Sequence, residues 1–353
     1  MPVILRVSFF VGVLGLLLPF TVTSQTVSTR VDSVRHEVVI TATSFDVPAT
    51  MKMSEAGGPM NMDVDGPLRL FRFDWPVDGY AKAFRVEVVD SRGAILPRSL
   101  LHHLIGINLD RRQFIYPATE RLFAMGKETE AVSLPGKLAI PIGQGQRLGF
   151  YVAWHNDTGR DFKDISVRVV MNWVPGTASK DLIPVLPVYL DVNNDVGGDD
   201  TFDVTPGKSS KAFEFVSPVS GKLLAVGGHL HDYGAAVRLD DAATGATLVR
   251  LPADRERDGR IKGMPRKFFA FNPIRLEAGH RYRVVAEYDS PLAKTIRAGG
   301  MANMVAAIVP DDPRSWPAID PSDPTFKKDV RSLGVSGLDF GQRRALPGDG
   351  NNK

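Results

Sequence analysis

The sequence predicts an all-β protein made of two tandem antiparallel β-sandwiches of jelly-roll-like form. Short runs that alternate apolar and polar residues dominate the chain, and Gly, Pro, Asp and Asn separate them. Few segments of ten or more residues show helical periodicity after the N-terminal stretch. Strands at this spacing are typical of sandwiches and barrels, and a length of 353 residues favours two domains.

The changes in composition divide the chain into five parts. In chain order we predict a signal peptide over 1–24, a first sandwich over 25–180, a linker over 181–204, a second sandwich over 205–312 and a Pro- and Gly-rich tail over 313–353. The linker contains Pro184, Pro187 and the polar stretch 191–203. The tail has little periodicity, so we expect it to wrap the surface or to be disordered.

The N-terminus reads as a secretory signal. Arg6 supplies a positive charge, residues 7–22 are apolar, and small and polar residues follow up to Ser24. The apolar run is short for a membrane span, although an uncleaved anchor is the alternative. We therefore expect an exported protein, periplasmic or extracellular, that has no membrane span after cleavage near Ser24.

Bulk composition excludes several classes of function. The net charge is only +3 and no basic run stands out, so nucleic acid is not an implied partner. The chain has no cysteine, which excludes disulfides, thiolate metal sites and lipid attachment through cysteine. No G-x-S-x-G elbow, phosphate-binding loop, dinucleotide fingerprint or H-E-x-x-H helix is present.

Five of the seven histidines lie in three clusters, and this is the strongest chemical signal in the chain. The clusters are His102-His103, His155, and His229-Leu230-His231. Residues two apart on a strand point to the same face, so the H-x-H segment can present two imidazoles to one metal ion.

The adjacent pair His102-His103 needs a different geometry. Neighbours on a regular strand face opposite sides, so both rings reach one ion only if the chain bends, for example at 104–106. His155 ends an apolar run before a turn, and it is the third candidate ligand. Three imidazoles would form a site suited to cycling between Cu(I) and Cu(II). Taken singly, each could also be a structural histidine.

Two methionines follow the H-x-H segment after two glycines. A thioether selects soft Cu(I), so His229, His231 and one methionine would form a two-nitrogen, one-sulfur site. Met301 and Met304 are an odd number of residues apart, so only one of them is expected to ligate. Met304 opens a strand and is favoured, with Met301 as the alternative. The sequence thus predicts two coppers per chain.

The remaining methionine and histidine signals are weaker. Four methionines lie within twelve residues, where they could collect Cu(I) but are expected to pack against a sheet; these are Met51, Met53, Met60 and Met62. His36 and His280 have no partner pattern, so both are interpreted as structural.

With these residues in place, the chain resembles the copper type II, ascorbate-dependent monooxygenases, which include peptidylglycine α-hydroxylating monooxygenase and dopamine β-monooxygenase. The resemblance is to a bacterial-type, exported homologue of these enzymes. It covers roughly residues 31–310. It lies in the order of an adjacent histidine pair, a single histidine, the H-x-H-x-x-G segment 229–234, and a methionine after Gly-Gly. Met304 matches the family's methionine better than Met301.

The resemblance implies two sandwiches that face each other across an open, wet cleft and carry one copper each. The electron-transfer copper would be held by His102, His103 and His155, and the oxygen-activating copper by His229, His231 and Met304. The implied activity is hydroxylation of a C–H bond in a small-molecule or peptide substrate, with O2 and an external reductant such as ascorbate. Gly227 stands where the peptide-amidating enzyme has a carboxylate-binding arginine, so a glycine-extended peptide is not the expected substrate.

Two alternatives remain. One is an exported copper-binding or copper-handling protein on the same fold without hydroxylase activity, which the methionine cluster and Gly227 favour. The other is a structural or adhesive double sandwich with incidental histidines. Copper stoichiometry combined with turnover distinguishes them.

Overall fold

A computed structural model describes residues 26–49, 69–126, 131–196, 200–269 and 271–340. In these residues the strands of the first half are β1 (Val27–Asp32), β2 (Glu37–Val47), β3 (Phe71–Asp74), β4 (Gly79–Val89), β5 (Leu101–Arg112), β6 (Thr119–Gly126), β7 (Ala131–Ser133), β8 (Leu138–Ile142), β9 (Arg147–Trp154), β10 (Phe162–Pro175) and β11 (Ile183–Pro184). Short 3-10 helices cover Arg98–Leu100 and Gly176–Ala178.

The second half continues in the same style. Its strands are β12 (Leu186–Asp191), β13 (Phe202–Val204), β14 (Gly207–Val216), β15 (Gly221–Leu230), β16 (Gly234–Asp241), β17 (Thr247–Pro252), β18 (Asp254–Arg255), β19 (Ile261–Gly263), β20 (Lys267–Phe268), β21 (Ile274–Leu276), β22 (Arg281–Ser290), β23 (Ile296–Gly300) and β24 (Ala302–Pro310). A 3-10 helix at Pro313–Ser315 and the helix α1 (Pro324–Ser332) follow.

The first sandwich packs a seven-stranded sheet against a four-stranded one. The larger sheet has the order β1-β2-β10-β4-β8-β11 with β7 on β4, and the smaller has the order β3-β9-β5-β6. Strand β2 shows why the sheets stack, because Val38, Ile40 and Ala42 alternate with more exposed residues and all three are fully buried. Their face joins Leu104 and Phe150 of the smaller sheet in one core.

The second sandwich repeats the arrangement with different strands. A five-stranded sheet, β12-β24-β15-β20 with β21 on β15, faces a four-stranded sheet, β14-β22-β16-β17. Its core contains Leu190, Leu239, Val284 and Met304. The predicted all-β fold of two tandem antiparallel sandwiches is confirmed.

The connection between the sandwiches is shorter than the linker predicted over 181–204. Strand β11 still pairs with β8 of the first sandwich, whereas β12 pairs with β24 of the second. The chain therefore crosses at Val185, and the predicted linker carries three strands. Alternate burial of Leu186, Val188 and Leu190 explains why β12 joins a sheet despite the nearby prolines.

The two sandwiches share a packed interface. Ala225 and Ala307, on one face of the five-stranded sheet, pack with the core of the first sandwich. Tyr116 of the first sandwich donates its hydroxyl hydrogen to the Asp191 carbonyl (3.1 Å) and accepts from the Asp191 N–H (2.9 Å). These contacts position one face of the second sandwich against the first.

The C-terminal segment returns to the first sandwich. Phe326 and Val330 of α1 pack against Ile107 and Leu109 on the outer face of β5. Asp329, which is fully buried, accepts hydrogen bonds from the N–H and hydroxyl of Thr119, both at 2.8 Å, and pairs with Arg121 at 2.6 Å. The described part of the predicted tail, residues 313–340, thus wraps the surface of the first sandwich.

Some predictions concern residues outside the described ranges. The signal peptide and the methionines Met51, Met53, Met60 and Met62 belong to this group. Among the described residues, α1 and the shorter helices are too brief to cross a bilayer, and no helix there combines the required length and apolarity.

Candidate metal centre

The H-x-H segment lies at the end of β15, where regular pairing with β24 fixes its orientation. His229 is opposite Asn303, and the next position of the same face belongs to His231. The two ring centroids are 5.3 Å apart and the ring planes are nearly perpendicular, at 87°. Both imidazoles therefore project from the same face, as the spacing predicts.

Glycine at position 228 allows the strand to lie this close to the second core. A Cβ added to Gly228 would be 2.7 Å from Cγ1 of Val237, which is closer than side chains pack. A larger residue would push β15 away from the core and shift His229 with it.

A β-bulge in β5 places the adjacent histidines. Leu101 pairs with Trp154 and His103 pairs with Ala153, so two steps along β5 match one step along β9. His102 is the extra residue. The chain therefore bulges at the histidine pair itself, ahead of 104–106, where the sequence suggested the bend.

The bulge also explains how both rings leave the core. Leu101 and Leu104 are three residues apart, yet both are fully buried in the first core. A regular strand would place them on opposite faces. With the bulge between them, His102 and His103 lie with ring centroids only 3.9 Å apart and planes tilted by 36°.

The two pairs meet across the interface between the sandwiches. The ring of His103 lies 5.5 Å from the ring of His229, centroid to centroid, with the planes at 83°. The resulting chain of contacts, which we call the imidazole row, consists of His102, His103, His229 and His231. The sequence predicted the two pairs but not their contact, because it does not show which faces of two domains meet.

The row is a series of neighbouring pairs. Within the part of the chain that the structure describes, no three histidine or carboxylate side chains converge on one point at ligating distance. The structure thus joins the two pairs, whereas the sequence predicted that they belong to two separate copper sites.

Burial keeps the rings of His229 and His231 neutral. It lowers the pKa of His229 from 6.5 to about 4, and the nearby His102 ring adds to this effect. Burial also lowers the pKa of His231 to about 4, with a smaller contribution from His229. Both rings are uncharged at neutral pH, and a neutral imidazole is the form that ligates a metal.

His231 has a backbone partner that orients its ring. The ring forms a hydrogen bond with the backbone of Gly299, and this bond favours the protonated form against the effect of burial. A ligating histidine usually donates its second ring N–H to a carbonyl or carboxylate in this way. Gly299 thus contacts the H-x-H segment directly.

The prediction that Met304 shares a metal with the H-x-H segment is wrong. Met304 is opposite Gly228, one residue out of step with His229, so its side chain projects from the other face of the sheet. It is fully buried in the second core, opposite Leu190 of β12. Met304 fills the core, and it would have to cross the sheet to reach His229.

The alternative, Met301, lies beside His231. The His231 N–H donates to the Met301 carbonyl at 3.1 Å, which extends the pairing of β15 with β24 by one residue. Paired residues share a face, so Met301 stands on the face of His229 and His231. It is partly exposed there, and it is the thioether that could join the imidazoles.

Sequence reasoning missed Tyr288, which holds Met301 in place. Its hydroxyl donates to the Met301 carbonyl (2.7 Å) and accepts from the Met301 N–H (3.1 Å). The tyrosine is nearly fully buried in the second core, and the sequence gives no local signal for a contact thirteen residues away.

His155 lies on the strand next to the bulge. Its N–H donates to the Leu100 carbonyl at 3.0 Å, and it is two residues beyond Ala153, the partner of His103. His155 is therefore on the His103 side of the sheet, about 7 Å further along β9. Its Nε2 lies 3.8 Å from a carboxylate oxygen of Asp157.

The two histidines interpreted as structural have local partners. The His36 ring contacts Trp173 edge to face at 5.3 Å, and His280 Nε2 lies 2.9 Å from the Asp241 carboxylate. His280 provides a histidine outside the row for control experiments.

The donor set of the row fits copper. It offers four imidazoles, of which burial keeps those of His229 and His231 neutral, with one thioether on the same face as these two. Imidazole suits both oxidation states of copper, and a thioether favours Cu(I).

Comparisons with known proteins assign no family. No family model matches the chain, and no curated protein matches it. Solved structures with some similarity include the major capsid protein P2 of bacteriophage PM2 (TM-score 0.37, 10% identity, 76% of this chain and 98% of that one). Another is PNGase F, a glycosylasparaginase from Flavobacterium meningosepticum (TM-score 0.33, 9% identity, 74% and 95%).

Proposed function

We propose that this chain is an exported copper-dependent monooxygenase that hydroxylates a C–H bond of its substrate with O2 and an external one-electron reductant such as ascorbate. The observation that carries the proposal is the imidazole row, together with Met301 on the face of His229 and His231. Copper, when bound, supplies one-electron transfer and the activation of O2.

The residues of the chain have separate tasks in this proposal. His229 and His231 hold the softer site, with Met301 in place of Met304 as the sulfur donor. His102 and His103 supply imidazole nitrogen from the first sandwich, with His155 beside them. Gly299 and Tyr288 orient His231 and Met301 from behind, as outer partners of metal ligands usually do.

The surface next to His229 suggests an apolar substrate. Val305 and Phe268 share the sheet face of His229, and they are 39% and 48% exposed. A Cβ added to Gly227 would lie 3.4 Å from Val305 and 3.8 Å from Arg266, at ordinary contact distances. A small molecule with an apolar C–H group can therefore lie against Val305 and Phe268, with the Arg266 side chain beside it.

A copper-handling protein without hydroxylase activity is the second candidate. The contact between His103 and His229 favours it, because rings from the two sandwiches meet where the resemblance implies an open cleft. Such a protein would bind Cu(I) tightly and would not consume O2.

Copper titration combined with turnover tests the proposal. The full chain is loaded with copper, and ascorbate-dependent O2 consumption is measured with a panel of apolar small molecules while hydroxylated product is quantified. We expect product in proportion to O2 consumed, and X-ray absorption of the reduced protein should show sulfur near copper. His229→Ala should abolish turnover, and His280→Ala should retain it.

Two results would contradict the proposal. Tight Cu(I) binding without product over the whole panel would favour the copper-handling protein. Failure to bind copper at all would leave the double sandwich without a metal function.

A further inference from the structure

We propose that one metal ion is bound jointly by His103 of the first sandwich and His229 of the second, so that the ion ties the sandwiches together. The resemblance implies the opposite, namely that these histidines belong to two separate ions. The inference rests on the proposed function only for the choice of copper, because imidazole also binds Zn²⁺.

The separation of the two rings suits a shared ion. A metal–nitrogen distance of about 2 Å places two ligating imidazoles of one ion with centroids roughly 4.5 to 6 Å apart. His103 and His229 have centroids 5.5 Å apart and nearly perpendicular planes. Little movement of either strand is needed for both nitrogens to reach one ion.

The neighbouring pair in the first sandwich is less suitable. The centroids of His102 and His103 are 3.9 Å apart, which is closer than two rings around one ion normally lie. His103 therefore finds a better ligating partner across the interface than on its own strand. His231 lies 5.3 Å from His229, but within the described residues no three such side chains converge on one point, so the ion is assigned to His103 and His229.

The folded sandwiches fix both ring positions before any ion binds. Leu101 and Leu104 anchor the bulge in the first core, and Leu230 anchors the H-x-H segment in the second. Ala225 and Ala307 lie on the same sheet face as His229, and they pack the second sandwich against the first. Metal binding would then stabilise the interface by mass action, because the complete site exists only when the sandwiches are docked.

Metal stoichiometry in matched variants tests the inference. The full chain, His103→Gln, His229→Gln and the double variant are titrated with Zn²⁺ and, under reducing conditions, with Cu(I), with His280→Gln as the control. We expect each single variant to lose the same ion, with affinity at least 100-fold weaker, and the double variant to lose nothing more. Separate losses that add in the double variant would overturn the inference.

A distance measurement gives a second readout that needs no histidine variant. Because the chain has no cysteine, Val34→Cys and Phe271→Cys place one spin label on each sandwich at strongly exposed positions. The distances are measured in a urea concentration at which the docked sandwiches begin to separate. We expect Zn²⁺ to restore the label distance of the native protein, and a chelator to reverse this. A distribution in the same urea that saturating Zn²⁺ leaves unchanged would overturn the inference.

The two proposals fail in different ways. If Zn²⁺ and Cu(I) tie the sandwiches together but no product forms, the shared ion stands and the monooxygenase proposal fails. If turnover occurs while His103→Gln keeps its ion at His229 and His231, the monooxygenase proposal stands and the shared ion is wrong.

Discussion

The two histidine pairs reach the interface by different backbone solutions. At the end of β15, regular pairing with β24 that continues for one residue beyond the strand presents His229 and His231 two residues apart, with nearly perpendicular rings 5.3 Å from each other. On β5 a bulge presents His102 and His103 as neighbours, with tilted rings 3.9 Å apart. The regular strand leaves room for an ion between its rings, whereas the bulge crowds them.

The difference shows that spacing in the sequence does not by itself define a chelating pair. The bulge turns both rings of β5 outward while it keeps Leu101 and Leu104 in the core. It is thus required for packing as much as for the metal centre. His229 and His231 need no bulge for packing, because Leu230 between them already faces the second core.

Loss of a leucine that anchors the bulge should have the largest effect. Leu104→Ala removes a side chain that is fully buried in the first core beside the bulge. Truncation of a buried leucine costs about 3 kcal/mol of the free energy of unfolding. Urea denaturation measures this change.

The matched control is His102→Ala, which keeps the bulge and removes only the ring. We expect it to change the free energy of unfolding by less than about 1 kcal/mol. If Leu104→Ala and His102→Ala cost the same, Leu104 does not anchor the bulge in the first core.

The next largest effect should be the loss of stability in acid that comes from His229 and His231. The pKa of His229 and of His231 falls from 6.5 in the unfolded chain to about 4 in the folded metal-free protein. The unfolded chain therefore binds protons first as the pH drops, and stability from these rings is lost between about pH 6.5 and 4. Each ring contributes on the order of 1 kcal/mol per pH unit.

Denaturation curves of the metal-free protein between pH 7 and 4 measure this slope. His229→Gln should reduce the slope, because it removes one ring whose pKa burial lowers. An identical slope in the variant and in the parent protein would show that burial does not hold the His229 ring neutral.

The smallest effects are expected from substitution of Met301 and Met304, whose side chains lie on opposite faces of the sheet. Met301→Leu should weaken Cu(I) binding about 10-fold because it removes the thioether beside His231. Met304→Leu is close to volume-conserving in the second core, so it should cost less than about 1.5 kcal/mol of stability and leave Cu(I) affinity unchanged.

Competition with a Cu(I) chelator measures both affinities under the same conditions. A weaker affinity in Met304→Leu with no change in Met301→Leu would reverse the assignment made from the strand register.

Much of the fold follows from local pattern. Alternation such as that of residues 37–42 in β2 predicts a half-buried strand, and the H-x-H spacing places two rings on one face. The bulge also has a signal, since Leu101 and Leu104 are apolar residues three apart inside a strand. That signal becomes clear only once both leucines are known to be buried.

The rest depends on contacts between distant parts of the chain. Whether Met301 or Met304 faces the histidines is set by the pairing of Gly228 with Met304, which the sequence of β24 alone does not reveal. The contact between His103 and His229 depends on how two domains dock. Neither strand carries a pattern that specifies its neighbour in the other sandwich.

The return of the chain through 313–340 means that the second sandwich is held at both ends. It begins after Val185 and finishes at β24, and the polypeptide then goes back to cover Ile107 and Leu109. A fragment that stops at Val185 would therefore leave this apolar face exposed to water and prone to aggregation. Production of the first sandwich alone would require the final helix to be rejoined to it by an artificial tether.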